Sequence, residues 1–142
     1  MIRYILDTDY ITLLENSDLI CLQRLDAVGD NWVAVTAVTV EERVQGWLNA
    51  IRQASVPKQA DRLVWAYTGL RTTVQYLAGF QIVDWTEAAS KRFREMRQQG
   101  VKIGTQDLRI ASIALSLNAV LVTRNQRDFA QVSGLSIEDW TM

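Results

Sequence analysis

Short apolar stretches alternate with helix-like patterns along the whole chain, and this alternation restricts the fold more than any other feature of the sequence. The apolar stretches cover residues 2–6, 32–35, 80–83 and 119–122, and a weaker one covers 135–137. Strands that alternate with helices form parallel sheets whose two faces are covered by helices. The sequence therefore predicts an α/β fold with a central parallel sheet of four to five strands flanked by helices.

Between these stretches, apolar residues recur at the spacing of amphipathic helices. The predicted helices cover residues 8–14, 19–28, 39–51, 60–77, 87–98 and 106–117, with a short one near Phe129. Thr39 and Thr105 have the residue type of N-caps, and Thr39 with Glu42 has the spacing of a capping box. The helices at 39–51 and 60–77 are predicted to form a helical hairpin that ends at Gly79. Because no linker interrupts the pattern, we expect a single domain over residues 1–142.

The residue types that are missing exclude several kinds of active site. The chain has no histidine, one cysteine (Cys21) and no glycine-rich phosphate loop. Triads built on histidine, imidazole metal sites and thiolate zinc sites are therefore excluded. What remains is carboxylate chemistry, with or without a hard cation such as Mg²⁺ or Mn²⁺. The lone cysteine, and the lack of a signal-peptide pattern or membrane-length apolar run, favour a cytoplasmic protein without membrane contact.

Acidic residues stand where the predicted strands end and where helices begin. Asp7 follows the first strand, and Asn125 and Asp128 follow the fourth strand within one turn of chain. Glu42 and Asp107 each lie in the first turn of a helix. Ligands of parallel sheets bind beyond the carboxyl ends of the strands, so these side chains are candidates for one site. Each acid also has a structural alternative, because acids at helix starts serve as caps and interact favourably with the helix dipole.

Asp107 is the acid whose position argues most directly for function. It lies four residues before Ala111, on the apolar face of its predicted helix. A carboxylate turned towards the sheet costs several kcal/mol unless an arginine or a metal ion compensates it. Amphipathicity alone does not choose between Glu41 and Glu42. The glycine at position 46, one turn after Glu42, leaves open space there and slightly favours Glu42.

Five segments of the chain, in this order, resemble the motifs of the PIN-domain family. They are YILDTD at residues 4–9, TVEE at 39–42 with a glycine at 46, GTQDLRIA at 104–111, LVTRNQRDF at 121–129 and GLSIEDW at 134–140. The motifs occur along the whole chain with the family's spacing. Within the family, the chain is most similar to the VapC-type toxins of prokaryotic toxin–antitoxin pairs.

The resemblance implies a Mg²⁺- or Mn²⁺-dependent endoribonuclease that hydrolyses RNA phosphodiester bonds by a two-metal mechanism. It implies an RNA substrate, an antitoxin partner and a homodimer. The register of the TVEE segment selects Glu42 over Glu41. Many relatives carry an acid at the position of Asn125, so Asp128 is expected to serve here directly or through water. The implied catalytic and metal-site residues are Asp7, Glu42, Asp107 and Asp128.

Polar residues near these acids are expected to support the reaction. Thr8, Thr123 and Asn125 could hydrogen-bond the attacking water or a phosphate, and Arg124 and Arg127 could hold phosphate groups. A basic segment at residues 87–102 carries Lys91, Arg92, Arg94, Arg97 and Lys102 against two glutamates, although the net charge of the chain is −1. This segment is predicted either to contact RNA phosphates or to be a solvated helix face.

Two other functions are compatible with parts of the pattern. The strand followed by Asp7-Thr8-Asp9 resembles the start of haloacid-dehalogenase-like phosphotransferases. However, Ile11 stands where those enzymes usually carry Thr or Val, and no lysine lies near a later strand end. Alternatively, Asn125 could reflect a PIN-like module with weakened metal binding. Such a module would bind RNA or a partner protein without catalysis.

Overall fold

Five parallel strands form the central sheet in the computed structural model, which describes residues 1–141. The strands are β1 (Tyr4–Leu6), β2 (Val33–Thr36), β3 (Gln81–Val83), β4 (Val120–Val122) and β5 (Ile137–Glu138). Their order across the sheet is β3-β2-β1-β4-β5, and every neighbouring pair is parallel. The predicted α/β fold with a parallel sheet of four to five strands is confirmed.

Seven α-helices within residues 1–141 connect and cover these strands. Two short 3₁₀ helices, Asp30–Trp32 and Pro57–Gln59, precede β2 and the fourth α-helix. No helix of the described residues is long and apolar enough to cross a membrane. The α-helices are α1 (Thr8–Glu15), α2 (Leu19–Val28), α3 (Ala37–Ala54), α4 (Ala60–Leu77), α5 (Glu87–Gln98), α6 (Thr105–Ser116) and α7 (Gln126–Phe129).

The two central strands contribute to a hydrophobic core on each face of the sheet, because successive side chains of a strand point to opposite faces. Ile5 and Leu121 belong to the core that also contains the buried residues of α5 and α6. Leu6 and Val122 belong to the core beneath α1 and α2. Burial on both faces explains why these strands are uninterrupted apolar stretches. It also holds the carboxyl ends of β1 and β4 firmly in place.

The predicted starts of two helices are wrong by a few residues. Thr36, not Thr39, caps α3, because the Thr36 hydroxyl accepts a hydrogen bond from the Thr39 backbone N–H at 3.1 Å. Thr39 therefore lies inside α3 and forms no capping box with Glu42. The helix α6 begins at Thr105 and follows Gly104, which supplies no side-chain cap. Local residue type does not identify the cap, because the end of the preceding strand or loop decides where a helix begins.

The predicted helical hairpin is formed by α3 and α4, and Trp47 lies between them. The Trp47 ring packs edge-on against Trp65 with centroids 5.0 Å apart, and its indole N–H donates to the Thr73 hydroxyl at 2.8 Å. Gly69 lies directly against this ring, because a Cβ at position 69 would be 2.2 Å from a Trp47 ring carbon. In contrast, a Cβ at Gly46 of α3 would meet no atom within 4 Å.

Gly69→Ala is therefore expected to destabilise the protein by about 1–3 kcal/mol, the usual cost of overpacking a filled site. Gly46→Ala is a matched control, since it places the same methyl group on a helix without a clash. It is expected to stabilise the protein by about 0.5–1 kcal/mol through helix propensity. Urea denaturation of both variants measures the free energies of unfolding. Equal stabilisation by the two changes would contradict the packing of Trp47 against Gly69.

Candidate active site

The candidate site lies at the carboxyl ends of β1 and β4. From β1 the chain builds β2 and β3 on one side, and it then crosses to β4 on the other side of β1. Such a change of direction opens a crevice at the carboxyl edge of a parallel sheet. Asp7 directly follows β1, and Thr123 directly follows β4. The fold thus brings two segments that are far apart in sequence to the same crevice.

Asp7 is buried at this edge, with 5% of its surface exposed. Its carboxylate accepts a hydrogen bond from the Tyr10 backbone N–H at 3.1 Å and thereby caps α1. The pKa of Asp7 is raised from 3.8 to about 6, chiefly by burial. Hydrogen bonds from Thr123 and Tyr10 lower this pKa, and the negative charges of Asp9 and Asp107 raise it. No basic side chain contributes to the shift. Asp7 is therefore a buried acid whose negative charge lacks a compensating cation.

Asp107 is half-buried in the first turn of α6 and lies among other acids. Burial raises the pKa of Asp107 above its usual value, and the negative charges of Glu42, Asp128 and Asp9 raise it further. The arginine that could have compensated this carboxylate is not found: among residues 1–141, the only ion pair joins Arg43 to a glutamate of α1. Acids of α1, α3, α6 and α7 therefore lie near enough to one another for their charges to interact.

Glu42 and Asp128 are each held by an uncharged neighbour. The Thr8 hydroxyl donates to Glu42 Oε1 at 2.7 Å. The Asn125 amide donates to Asp128 Oδ2 at 3.0 Å. The Thr123 hydroxyl in turn accepts a hydrogen bond from the Asn125 backbone N–H at 2.9 Å. The three predicted uncharged supporting residues, Thr8, Thr123 and Asn125, thus contact the acids or their turn and orient carboxylates without neutralising them.

Asp9 is a further acid of this group, although it is not among the residues predicted for the site. Its negative charge raises the pKa of both Asp7 and Asp107. The spacing of two aspartates after the first strand is the sequence feature that could have indicated it.

Glu41 has different surroundings from Glu42. Its Oε1 accepts a hydrogen bond from Gln106 at 2.8 Å, and its charge is not among the causes of the raised pKa of Asp107.

The predicted phosphate-binding arginines lie in different surroundings. Arg124 is exposed, and its positive charge acts on Asp18. The pKa of Asp18 is lowered chiefly by the hydrogen bond from the Cys21 N–H and also by the charge of Arg124. Its charge does not contribute to the shifts of Asp7 or Asp107. Arg97 donates to the backbone carbonyls of residues 101 and 103, both at 3.0 Å, and closes the loop between α5 and α6. Lys91 and Arg94 are exposed, whereas Arg97 is partly buried and bound to these carbonyls.

The donor set of this group suits a hard divalent cation. Carboxylate oxygens are the ligands that Mg²⁺ and Mn²⁺ prefer, and neighbouring carboxylates without a cation have raised pKa values, as found for Asp7 and Asp107. Within the part of the chain that the structure describes, no three acidic, histidine or cysteine side chains converge into a ready ion-binding group. The charges of these acids act on one another, but in this arrangement their side chains do not form such a group.

No protein-family model matches the chain, but individual proteins and structures are similar to it over its full length. The chain is 29% identical over 140 residues to ribonuclease VapC1 of Haemophilus influenzae strain R2866, covering 97% of this chain and 98% of that protein. It is 25% identical over 146 residues to the tRNA(fMet)-specific endonuclease VapC of Shigella flexneri, covering 99% and 100%. The structure of VapBC-1 from nontypeable H. influenzae matches over 100% of both chains with a TM-score of 0.73 and 27% identity. Over its whole length, the chain is therefore similar to ribonucleases of the VapC type.

The similarity to VapC ribonucleases and VapBC structures confirms the resemblance drawn from the five sequence motifs. The matches to VapC1 and VapBC-1 extend over nearly the whole chain, so they include every segment that contributes an acid to the crevice. They argue against the phosphotransferase alternative, which rested on the first of these segments alone. The individual roles of Asp7, Glu42, Asp107 and Asp128 stay predictions.

Proposed function

We propose that the protein is a divalent-metal-dependent endoribonuclease and the toxin of a toxin–antitoxin pair. The observation that carries the proposal is the group of uncompensated acids around Asp107, at the carboxyl edge of a VapC-type sheet. Relatives over the full length of the chain are named ribonuclease and tRNA(fMet)-specific endonuclease. These names support RNA as the substrate class.

The proposed metal-site residues are Asp7, Glu42, Asp107 and Asp128, with Mg²⁺ or Mn²⁺ as the cofactor. When bound, such ions lower the pKa of an attacking water and stabilise negative charge on the phosphate. Thr8 and Asn125 keep Glu42 and Asp128 in fixed orientations through their hydrogen bonds. Burial of Asp7 keeps water away from one side of the crevice, which strengthens its attraction for a cation.

The α3–α4 hairpin supports the proposed protein partners. Its exposed apolar residues include Val64, Trp65 and Tyr67, with 67%, 48% and 56% of their surfaces accessible. Trp47, the aromatic residue of α3, lies half-buried inside the hairpin and contributes less to this surface. A groove of about 440 Å³ runs from Glu42 along α3 to Trp65. We propose that an antitoxin segment binds in this groove and that the protein forms a homodimer. We also propose that the protein is located in the cytoplasm.

The proposal is tested by incubating the purified protein with a fluorescently labelled, unstructured RNA. Cleavage is expected with Mg²⁺ or Mn²⁺, because a cation is needed to neutralise the acids and activate the water. Excess EDTA is expected to abolish cleavage, and added Mn²⁺ is expected to restore it. An Asp107→Asn preparation, purified in parallel, controls for contaminating nucleases.

Two outcomes would contradict the proposal in different ways. Cleavage that is fully retained in EDTA would exclude the metal-dependent mechanism. RNA binding that weakens steeply with salt, without cleavage in either metal ion, would favour the non-catalytic RNA-binding module.

A further inference from the structure

A second pocket opens beside the acidic group at the same edge of the sheet. It has a volume of about 340 Å³. Its lining comes from the start of α3 directly after β2, from the segment that follows β3, and from α5 and α6. We call it the Trp85 pocket, and its lining residues are Ala37, Val38, Glu41, Trp85, Phe93 and Arg109. None of these residues belongs to the proposed metal site.

A chain of hydrogen bonds forms the wall between the Trp85 pocket and the acids. Gln106 donates to Glu41 Oε1 at 2.8 Å, and Arg109 donates to Gln106 Oε1 at 2.8 Å. Glu41 and Gln106 directly precede Glu42 and Asp107 in the sequence. Adjacent residues of α3 and α6 therefore form both the pocket wall and the acidic group. The pocket and the acidic group are therefore neighbours along both α3 and α6.

The lining combines an aromatic surface with polar and positively charged groups. Trp85 has 38% of its surface exposed, and its ring meets Phe93 edge-to-face with centroids 5.9 Å apart. The guanidinium groups of Arg97 and Arg109 lie 5.4 and 5.9 Å from the Phe93 ring centre. The aromatic contact limits the motion of the Trp85 indole. Among the lining residues, Arg109 contributes a positive charge and Glu41 a negative one.

An unpaired nucleobase matches this combination. Proteins that recognise single-stranded RNA stack bases on aromatic rings or guanidinium planes and hydrogen-bond the polar base edges. Glu41 offers acceptors and Arg109 offers donors at the wall of the pocket. We propose that the Trp85 pocket binds the unpaired nucleobase next to the scissile phosphate, with Trp85 stacking on the base and Glu41 and Arg109 contacting its edge. This inference rests on the proposed ribonuclease activity and adds a determinant of RNA selection.

The proposal is tested with a short single-stranded RNA that has one cleavage site, and with versions that lack one base on either side of the scissile bond. Removing the bound base is expected to lower kcat/KM about 5- to 150-fold, the range of base–aromatic stacking. Trp85→Ala is expected to cause a similar loss with intact RNA. The effects of Trp85→Ala and of the missing base on kcat/KM should not be additive, because each change removes the same contact.

Two further variants separate stacking from folding. Trp85→Phe retains an aromatic face and is expected to keep most of the activity, whereas Trp85→Leu retains apolar volume and is expected to lose it. Trp32→Ala is the matched control, since Trp32 is 42% exposed and precedes β2 at the opposite edge of the sheet. It is expected to leave both the activity and the effect of the missing base unchanged. Circular dichroism verifies that each variant is folded.

Three results would overturn the nucleobase proposal. The first is that removing the base on either side of the scissile bond lowers kcat/KM by the same factor in wild-type and Trp85→Ala protein. The second is full activity of Trp85→Leu. The third is a change of molar mass in Trp85→Ala by light scattering, which would assign the pocket to an interface between protein copies.

A binding measurement distinguishes this failure from failure of the proposed function. Dissociation constants of the same RNAs for Asp107→Asn protein, measured by fluorescence anisotropy, do not depend on cleavage. Coupling between Trp85 and the base in binding, without any cleavage by wild-type protein, would support the pocket and refute the nuclease. Cleavage by wild-type protein without that coupling would support the nuclease and refute the pocket.

Discussion

Asp107→Asn is expected to lower RNA cleavage by at least about a hundredfold, or about 2.7 kcal/mol of activation free energy. Asp107 is the acid on which the charges of Glu42, Asp128 and Asp9 act together. Asparagine has nearly the same shape but brings no negative charge for a cation. Asp7→Asn is expected to have a comparable effect for the same reason. Initial rates of cleavage of a labelled single-stranded RNA, with saturating Mn²⁺, measure the loss.

Neighbouring glutamates provide the sharpest internal comparison for this prediction. Glu42→Gln should reduce cleavage much more than Glu41→Gln. The negative charge of Glu42 raises the pKa of Asp107, whereas Glu41 is hydrogen-bonded to Gln106. Asp61→Asn, an exposed acid at the start of α4, controls for a general change of charge. A larger loss with Glu41→Gln would show that the assignment of the metal-site glutamate is wrong by one residue.

Asp7→Asn is also expected to stabilise the metal-free protein at pH 7, by up to about 3 kcal/mol at 1.4 kcal/mol for each pKa unit. Burial is the main cause of the raised pKa of Asp7, from 3.8 to about 6. Between these two values the folded protein binds more protons than the unfolded chain. The stability of the wild type therefore falls as the pH rises through this interval and then levels off. Asparagine can still accept the capping hydrogen bond, and it carries no charge to bury.

The measurement is urea denaturation of both proteins in EDTA at several pH values. The stability difference between Asp7→Asn and wild type should be small near pH 4 and should reach its maximum above pH 6. Added Mg²⁺ should narrow this difference, because a ligand that binds the folded wild type stabilises it. A difference that does not change with pH would contradict a raised pKa for Asp7.

Asp18→Asn is a control of opposite sign. Asp18 caps α2 as Asp7 caps α1, but Asp18 is exposed at its helix start, and its pKa is lowered chiefly by the Cys21 N–H. A group whose pKa is lowered by folding stabilises the folded protein above its unfolded pKa, and this stabilisation is lost as the pH falls. Asp18→Asn should therefore reduce stability at pH 7, whereas Asp7→Asn increases it.

Periodicity in the sequence determined the elements of the fold and their class. The predicted helices at residues 19–28, 60–77 and 87–98 agree with α2, α4 and α5. The central strands β1, β2 and β4 were predictable because burial on both faces requires continuous apolar stretches. The inward position of Asp107 was predictable as well, because a helix face is defined by residues only four positions apart.

The tertiary structure decided which distant residues meet. It placed Asp9 among the acids, turned Arg97 towards backbone carbonyls, and buried Trp47 between two helices. It also brought Trp85 and Arg109, which belong to different elements, to one pocket. Local patterns specify the face on which a side chain lies. Strand order and helix packing specify its neighbours, because those contacts join residues that are remote in sequence.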